Sequence, residues 1–258
     1  MAKAYAIISG KGGVGKTTSA INLGTSLNKL GEDVIILDAN LTTPNIGIHL
    51  GAPIVPITLN HVLKGQAKLE DAIYEHESGT KVIPASLSLK ETEIIDSKKL
   101  LDITKKLKKI TNYILIDSAA GLDNEAKLAI ESSDEIILIT NPEMAAVTDA
   151  LKTIKLAEEM NKPIKGVLIT RYSGKRYEMS ISNIKEMLEV PILGIIPEED
   201  SIKESQVMKD SVIFTHPKSN ATKNYFKASR RILGEDIKLE PLTKLGFIGR
   251  LIKKIGLK

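Results

Sequence analysis

The sequence predicts an α/β fold, doubly wound, with a mostly parallel sheet and helices on both faces. Two observations predict it. Aliphatic residues come in short unbroken runs, as strands covered on both faces require, and between most of these runs lie segments with helical periodicity. The first run is joined to the first helical segment by a glycine-rich turn, Gly10-Lys11-Gly12-Gly13-Val14-Gly15-Lys16-Thr17-Thr18. In it Gly10, Gly15, Lys16 and Thr17 fill the pattern G-x-x-x-x-G-K-[ST], in the strand, loop and helix setting that the pattern requires.

In chain order, residues 4–8 read as the first strand. Ala20, Ile21, Leu23, Leu27 and Leu30 give the following segment its helical period, and Gly31 reads as its C-terminal stop. Residues 33–38 form a second buried strand that ends on a carboxylate, Asp38. Further strands are expected at 81–84, 113–117, 134–140, 166–170 and 191–196. Residues 44–91 are the least regular stretch, with Pro53, Pro56, Gly65 and Gly79, and the sequence sets no firm structure for their interior. Residues 97–110 place Leu100, Ile103, Leu107 and Ile110 on one helical face and lysines on the other, the layout of a surface helix with a solvated rim. There is no internal repeat or low-complexity block, and no linker before about residue 235. The expected organisation is one domain over 1–234 and an appendage over 235–258.

Composition removes several classes of function. The chain has no cysteine among its 258 residues, which excludes disulfide scaffolds, thiolate metal sites, iron–sulfur clusters and thiol catalysis. Tryptophan is absent and 42% of residues are hydrophobic, so the core must be aliphatic. Met1-Ala2-Lys3 leads directly into the first strand, and no apolar run approaches the length of a membrane span, so a cytoplasmic protein is expected. The net charge is +4, but residues 241–258 carry five basic and no acidic side chains, leaving the rest of the chain one charge negative. A basic nucleic-acid-binding body is not indicated.

The glycine turn points to phosphates. Gly10, Gly12, Gly13, Val14 and Gly15 let backbone N–H groups converge at a helix N-terminus, where the helix dipole adds to the attraction for an anion. Lys16 faces the β- and γ-phosphates, the Thr17 hydroxyl takes one Mg²⁺ position, and Thr18 continues the first helical turn. Open α/β sheets bind ligands beyond the carboxyl ends of their strands, where the second strand delivers Asp38 and the 113–117 strand delivers Asp117. Mg²⁺ prefers hard oxygen ligands, so a carboxylate at each position holds the ion directly or through water.

Lys11 is the unusual member of the turn. The form Lys-Gly-Gly-Val-Gly-Lys-Thr-Thr resembles the deviant Walker A motif of the MinD/ParA ATPases, a branch of the P-loop NTPases. The resemblance extends over nearly the whole chain to about residue 233. It implies that Lys11 reaches across an ATP sandwich dimer to the partner's phosphates. Asp117-Ser118-Ala119-Ala120-Gly121 is similar to the family's Walker B and switch II segment, with a flexible Gly121 N–H near the γ-phosphate. Asp38-Ala39-Asn40, followed by Pro44-Asn45-Ile46, sits where the family has switch I, typically Asp-x-Asp. The second family aspartate, assigned to positioning the attacking water, is here Asn40, whose amide orients a water but cannot take its proton. Slow ATP hydrolysis is therefore expected, with Lys11, Lys16, Asp38 and Asn40 as the catalytic set. By the same resemblance Asn141-Pro142-Glu143, Thr170-Arg171 and Pro197-Glu198-Glu199-Asp200 flank adenine, so Asn141, Arg171, Pro197 and Glu198 join the nucleotide contacts. The family commonly has asparagine where Thr170 stands. No Asn-Lys-x-Asp element for guanine is present, which favours ATP. Residues 215–221 and 225–229 resemble the family's Pro-x-Ser element and last core helix, and His216 reads as a loop histidine.

Beyond Pro241, at about 100° per residue, Phe247, Ile248, Leu251, Ile252 and Ile255 share one arc, with Arg250 and Lys253 opposite and Lys254 and Lys258 at its edge. This is the layout of an interfacial amphipathic helix with snorkelling lysines. A C-terminal membrane-targeting helix separates MinD from ParA within the family, so the resemblance is closest to MinD. It implies a homodimer formed on ATP and a reversible peripheral association with anionic membrane at the inner face of the cell membrane. It also implies an unidentified protein that stimulates hydrolysis or is positioned. The alternatives are a ParA-like DNA or cargo partition ATPase, a regulatory scaffold that binds ATP but barely hydrolyses it, and a tail that docks on its own domain or on a partner protein.

Overall fold

The computed structural model describes residues 2–88 and 97–239. An eight-stranded sheet is built from β1 (Lys3–Ile8), β2 (Val34–Asp38), β3 (Tyr74–Glu75), β4 (Lys81–Ile83), β5 (Tyr113–Asp117), β6 (Glu135–Thr140), β7 (Ile164–Tyr172) and β8 (Ile192–Pro197). The helices are α1 (Lys16–Lys29), α2 (Ile46–His49), α3 (Leu59–Leu63), α4 (Ser97–Leu107), α5 (Asn124–Ser132), α6 (Met144–Glu159), α7 (Ile181–Leu188), α8 (Asp200–Val207), α9 (Val212–Thr215) and α10 (Asn220–Ile232). The strand order is β3-β4-β2-β5-β1-β6-β7-β8, and every pairing is parallel except β3 with β4. This is the doubly wound sheet that the aliphatic runs predict.

Alternation along β1 shows why those runs are unbroken. Tyr5 and Ile7 face a core shared with α1, α9 and α10, whereas Ala4, Ala6 and Ile8 face one shared with α3, α4 and α5. A third cluster joins Leu138, Val167 and Ile169 to α6 and α7. Both faces of each central strand are dry, so neither set of positions can be polar. In α4, Leu100, Ile103 and Leu107 are buried as expected, while Ile110 lies beyond the helix and is largely exposed.

The interior of 44–91, for which the sequence sets no structure, contains α2, α3, a 3₁₀ turn at Glu70–Ala72 and the two-residue antiparallel edge strand β3. None is long enough to show a period. At the other end, Arg231 in α10 donates from Nη1 to the Leu193 carbonyl (2.6 Å) near the start of β8, and from Nε and Nη2 to the Ile237 and Lys238 carbonyls (2.9 and 2.8 Å). The chain thus reaches residue 239 at the edge of the sheet opposite the glycine turn. The tail residues Phe247, Ile248, Arg250, Leu251, Ile252, Lys253, Lys254 and Ile255 lie outside the described residues. No helix among the described residues is long and apolar enough to cross a membrane.

Candidate nucleotide and magnesium site

The glycine turn occupies residues 9–15 between β1 and α1. Gly13 and Gly15 have φ of 75° and 94°, a left-handed conformation that orients successive N–H groups inward. Gly15 is the N-cap of α1 and leaves its first turn without a side-chain cap or an acidic residue, so the helix N-terminus is open to an anion. Gly10 packs on α6 so closely that a Cβ there would lie 2.4 Å from the Asp149 carbonyl oxygen. Gly12 faces the switch II segment, where a Cβ would stand 3.8 Å from Ala120, and Gly121 donates its N–H to the Ser9 carbonyl (3.0 Å).

Below the turn the strand ends converge. β2 and β5 are in register with Asp38 opposite Asp117, and both side chains are fully buried. Thr17 Oγ1 donates to Asp117 Oδ2 (2.6 Å), which leaves Asp117 Oδ1 buried with no hydrogen-bond partner among the described residues. Asp38 accepts from three backbone N–H groups, Asn40 at 3.2 Å on Oδ1 and Asn45 and Ile46 at 3.1 Å each on Oδ2, and so fixes the 40–46 loop and the start of α2. Burial pushes the Asp117 carboxyl up to about 6 against the pull of Lys16 and the Thr17 hydroxyl. Burial, then the Asp117 charge, raises Asp38 well above the ordinary carboxylate range, against its three N–H donors. Burial lowers Lys16, and Asp117 partly restores it.

Two buried carboxyls answered by one lysine, an orphaned carboxylate oxygen and a hydroxyl whose proton is already committed make a hard-oxygen setting that fits Mg²⁺. Thr17 and Asp117, with Asp38 behind them, would hold the ion, which supplies charge neutralisation for phosphates. Among the described residues there is no group of three His, Asp or Glu side chains suited to a metal. A nucleotide-bound Mg²⁺ needs only one or two carboxylates beside phosphate and water.

Lys11 is placed differently from Lys16. Its Nζ lies 2.9 Å from Glu143 Oε2, with 42% and 57% of the two side chains exposed. This pairing holds Glu143 below the ordinary carboxylate range. Asn40 is closed on a neighbour: its Oδ1 accepts from Thr43 N (3.2 Å) and Oγ1 (3.0 Å), and its Nδ2 donates to the Thr43 carbonyl (2.6 Å).

The base end is a cavity of about 110 Å³ whose lining includes Val14, Thr18, Thr170, Arg171, Ile196 and Gln206. Thr170 Oγ1 is committed to the Val14 carbonyl (2.6 Å) and the Thr140 carbonyl (3.1 Å), so it ties β7 to the glycine turn and has no proton left for a base. Arg171 has a φ of 53°. Pro197 pairs with Tyr172 at the end of β8, and Glu198 pairs with Lys203 (3.2 Å). Asn141 Oδ1 is buried and has no partner among the described residues. Gln206 escaped the sequence reading; it donates to Thr18 Oγ1 (2.9 Å). Within the 197–200 segment, Glu199 Oε2 accepts from the Ala221 N–H (2.8 Å), holding α10 to the base end. His216 ends α9 with Nε2 3.0 Å from Glu204.

The model of the CobQ/CobB/MinD/ParA nucleotide binding domain matches residues 5–212. The chain belongs to this family. An uncharacterised ATP-binding protein of Methanocaldococcus jannaschii is 35% identical, with 98% of this chain and 96% of the relative aligned. The structure of the septum site-determining protein MinD of Pyrococcus horikoshii, complexed with Mg-ADP, superposes with a TM-score of 0.86 at 33% identity, covering 92% of this chain and all of that one. MinD in a MinC:MinD cell division protein complex of Aquifex aeolicus gives 0.85 at 30% identity over 93% of this chain and 99% of that one. Within the MinD/ParA ATPases the similarity lies on the MinD side, and the matched domain is a nucleotide-binding one.

Proposed function

We propose that this MinD-like ATPase closes as a dimer around two Mg-ATP, each protomer lending Lys11 to the other's phosphates. On closing, it associates with anionic membrane through the residues at 247–255. It serves to position cell division or another assembly. The observation that carries the proposal is the pair of lysines in one turn: Lys16 faces the buried carboxylates, while Lys11 stands at the rim, held only by an exposed ion pair worth about 0–1 kcal/mol and therefore cheap to release.

Lys16, with the N–H groups of Gly10, Gly12, Gly13, Val14 and Gly15, holds the phosphates, and Thr17, Asp38 and Asp117 hold the ion. Gly121 lies against the γ-phosphate, and Asn141, Arg171, Pro197 and Glu198 surround adenine. Hydrolysis is slow because Asn40 offers an amide where a carboxylate would serve. Positioning and charge stabilisation carry most of phosphoryl transfer, so turnover is reduced and not lost. Because Asn40 is closed on Thr43, a regulatory scaffold with very slow hydrolysis is the second reading.

One tail binds membrane marginally, since five apolar side chains at an interface offset about 1–2 kcal/mol of backbone entropy per ordered residue. Two tails on one dimer gain about 10²–10⁴ in avidity. The A. aeolicus MinC:MinD complex supports a protein partner for this chain too. Sedimentation with anionic liposomes and with DNA, each with and without a nonhydrolysable ATP analogue, tests the proposal. Analogue-dependent liposome binding is expected. A chain that stays soluble in both states excludes the membrane role, and salt-sensitive DNA binding indicates a ParA-like partition factor.

A further inference from the structure

The cavity beside the glycine turn is continuous from Gly15 and Thr18 at its phosphate end to Arg171 and Glu198 at its base end, and Gln206 of α8 lines it between them. Most of the other polar side chains there are already engaged. Thr170 Oγ1 donates to the Val14 and Thr140 carbonyls, Glu198 is paired with Lys203 (3.2 Å), and Glu199 holds the Ala221 N–H (2.8 Å). Gln206 is engaged at one end only. Its Nε2 donates to Thr18 Oγ1 (2.9 Å) in the first turn of α1, two residues beyond Lys16. Its Oε1 has no hydrogen-bond partner among the described residues, and it is not shut off from solvent. One half of a planar amide is thus tied to the helix that begins at the phosphates, and the other half is an open neutral acceptor on the wall of the cavity.

We propose that Gln206 is the residue that reads the sugar of the bound nucleotide, its carbonyl accepting a hydrogen bond from a ribose hydroxyl. Placement and chemistry both favour the sugar. A nucleotide laid along this cavity, with its phosphates at the glycine turn and its base beside Arg171, puts its ribose next to Thr18, where Gln206 is anchored. Ribose offers neutral O–H donors, which a neutral carbonyl matches without bringing a further charge near the phosphates. The Thr18 bond orders the side chain before the ligand arrives, so little rotamer freedom is left to lose on binding. A site built to pair a hydroxyl discriminates against the analogue that lacks it, and Gln206 accordingly selects ribonucleotides over deoxyribonucleotides.

Because this rests on the site's holding an adenosine nucleotide, Mg-ADP affinity is measured first, by calorimetry, and then that of 2′-deoxy-ADP and 3′-deoxy-ADP with Mg²⁺. Wild type should bind at least one deoxy nucleotide about fivefold or more weakly than Mg-ADP, and the two arms identify the hydroxyl. Gln206→Met keeps the length of the side chain and removes its acceptor, so it should bind that deoxy nucleotide and Mg-ADP within about twofold of each other. Gln206→Glu keeps an acceptor, with the Thr18 hydroxyl able to donate to its second oxygen, and should retain the preference. Wild type binding all three nucleotides within about twofold overturns the inference and leaves the nucleotide reading standing. An unchanged preference in Gln206→Met, the mark of a purely structural role, also overturns it, as does loss of the preference in Gln206→Glu. A wild-type chain that binds no Mg-ADP overturns the nucleotide reading and the inference with it.

Discussion

Lys11 and Lys16 lie five positions apart in one turn and carry the same charge, yet their surroundings divide the site into a fixed half and a movable half. Lys16 sits half-buried beside fully buried Asp117, where low dielectric makes a charge count and burial already lowers its proton affinity. Lys11 sits at the rim against Glu143, where solvent screens the pair. One is fixed in the floor of the site; the other is, on the proposed function, the one that leaves and reaches. The difference teaches that position within a phosphate loop does not set a lysine's role; the strand ends beneath it do.

Breaking the fixed half gives the largest effects. Lys16→Ala should weaken Mg-ATP binding at least about a hundredfold by calorimetry, equivalent to about 3 kcal/mol of charge-assisted hydrogen bonding. Next comes pH. Asp117 titrates at about 6 in the folded chain, and only its charged form holds a cation, so Mg-ADP affinity should fall about tenfold per pH unit below that value. The sign for the ligand-free fold is opposite. A native value above the ordinary 3.8 means that the folded state binds this proton more tightly, so this carboxyl adds stability as pH falls from 6 toward 4 and costs stability at pH 7. Asp117→Asn should remove both trends, and a titration of Mg-ADP affinity against pH checks it. Asn40→Asp should raise steady-state turnover severalfold; no change on restoring the carboxylate would sink the account of slow hydrolysis. The smallest effect belongs to the movable half. Glu143→Gln frees Lys11 from a screened pair and should shift the ATP dependence of dimer formation by no more than a few-fold, read by light scattering.

The phosphate end was legible because its chemistry is local: glycines, Lys16 and Thr17 are adjacent, and Asp38 and Asp117 end unbroken aliphatic strands. The strands were legible for the same reason, since burial on both faces leaves no polar positions to blur them. β3 was not, because two residues have no period and pair only through a neighbour's backbone. The base end was partly hidden. Thr170 was visible as a departure from the family, but its use as a tie to Val14 depends on where β7 meets the glycine turn. Gln206 carries no local signal; topology alone brings it to Thr18. Asn40 was read for the group it presents, whereas its partners decide what it does.

The central claim is that two chains close around triphosphate with Lys11 crossing between them. Sedimentation equilibrium of the intact protein, saturated with Mg²⁺ and a nonhydrolysable ATP analogue, tests it most directly. The account predicts a dimer for wild type, and a monomer for Lys11→Ala that still binds Mg-ADP with unchanged affinity. A wild-type chain that remains monomeric at saturation would contradict it.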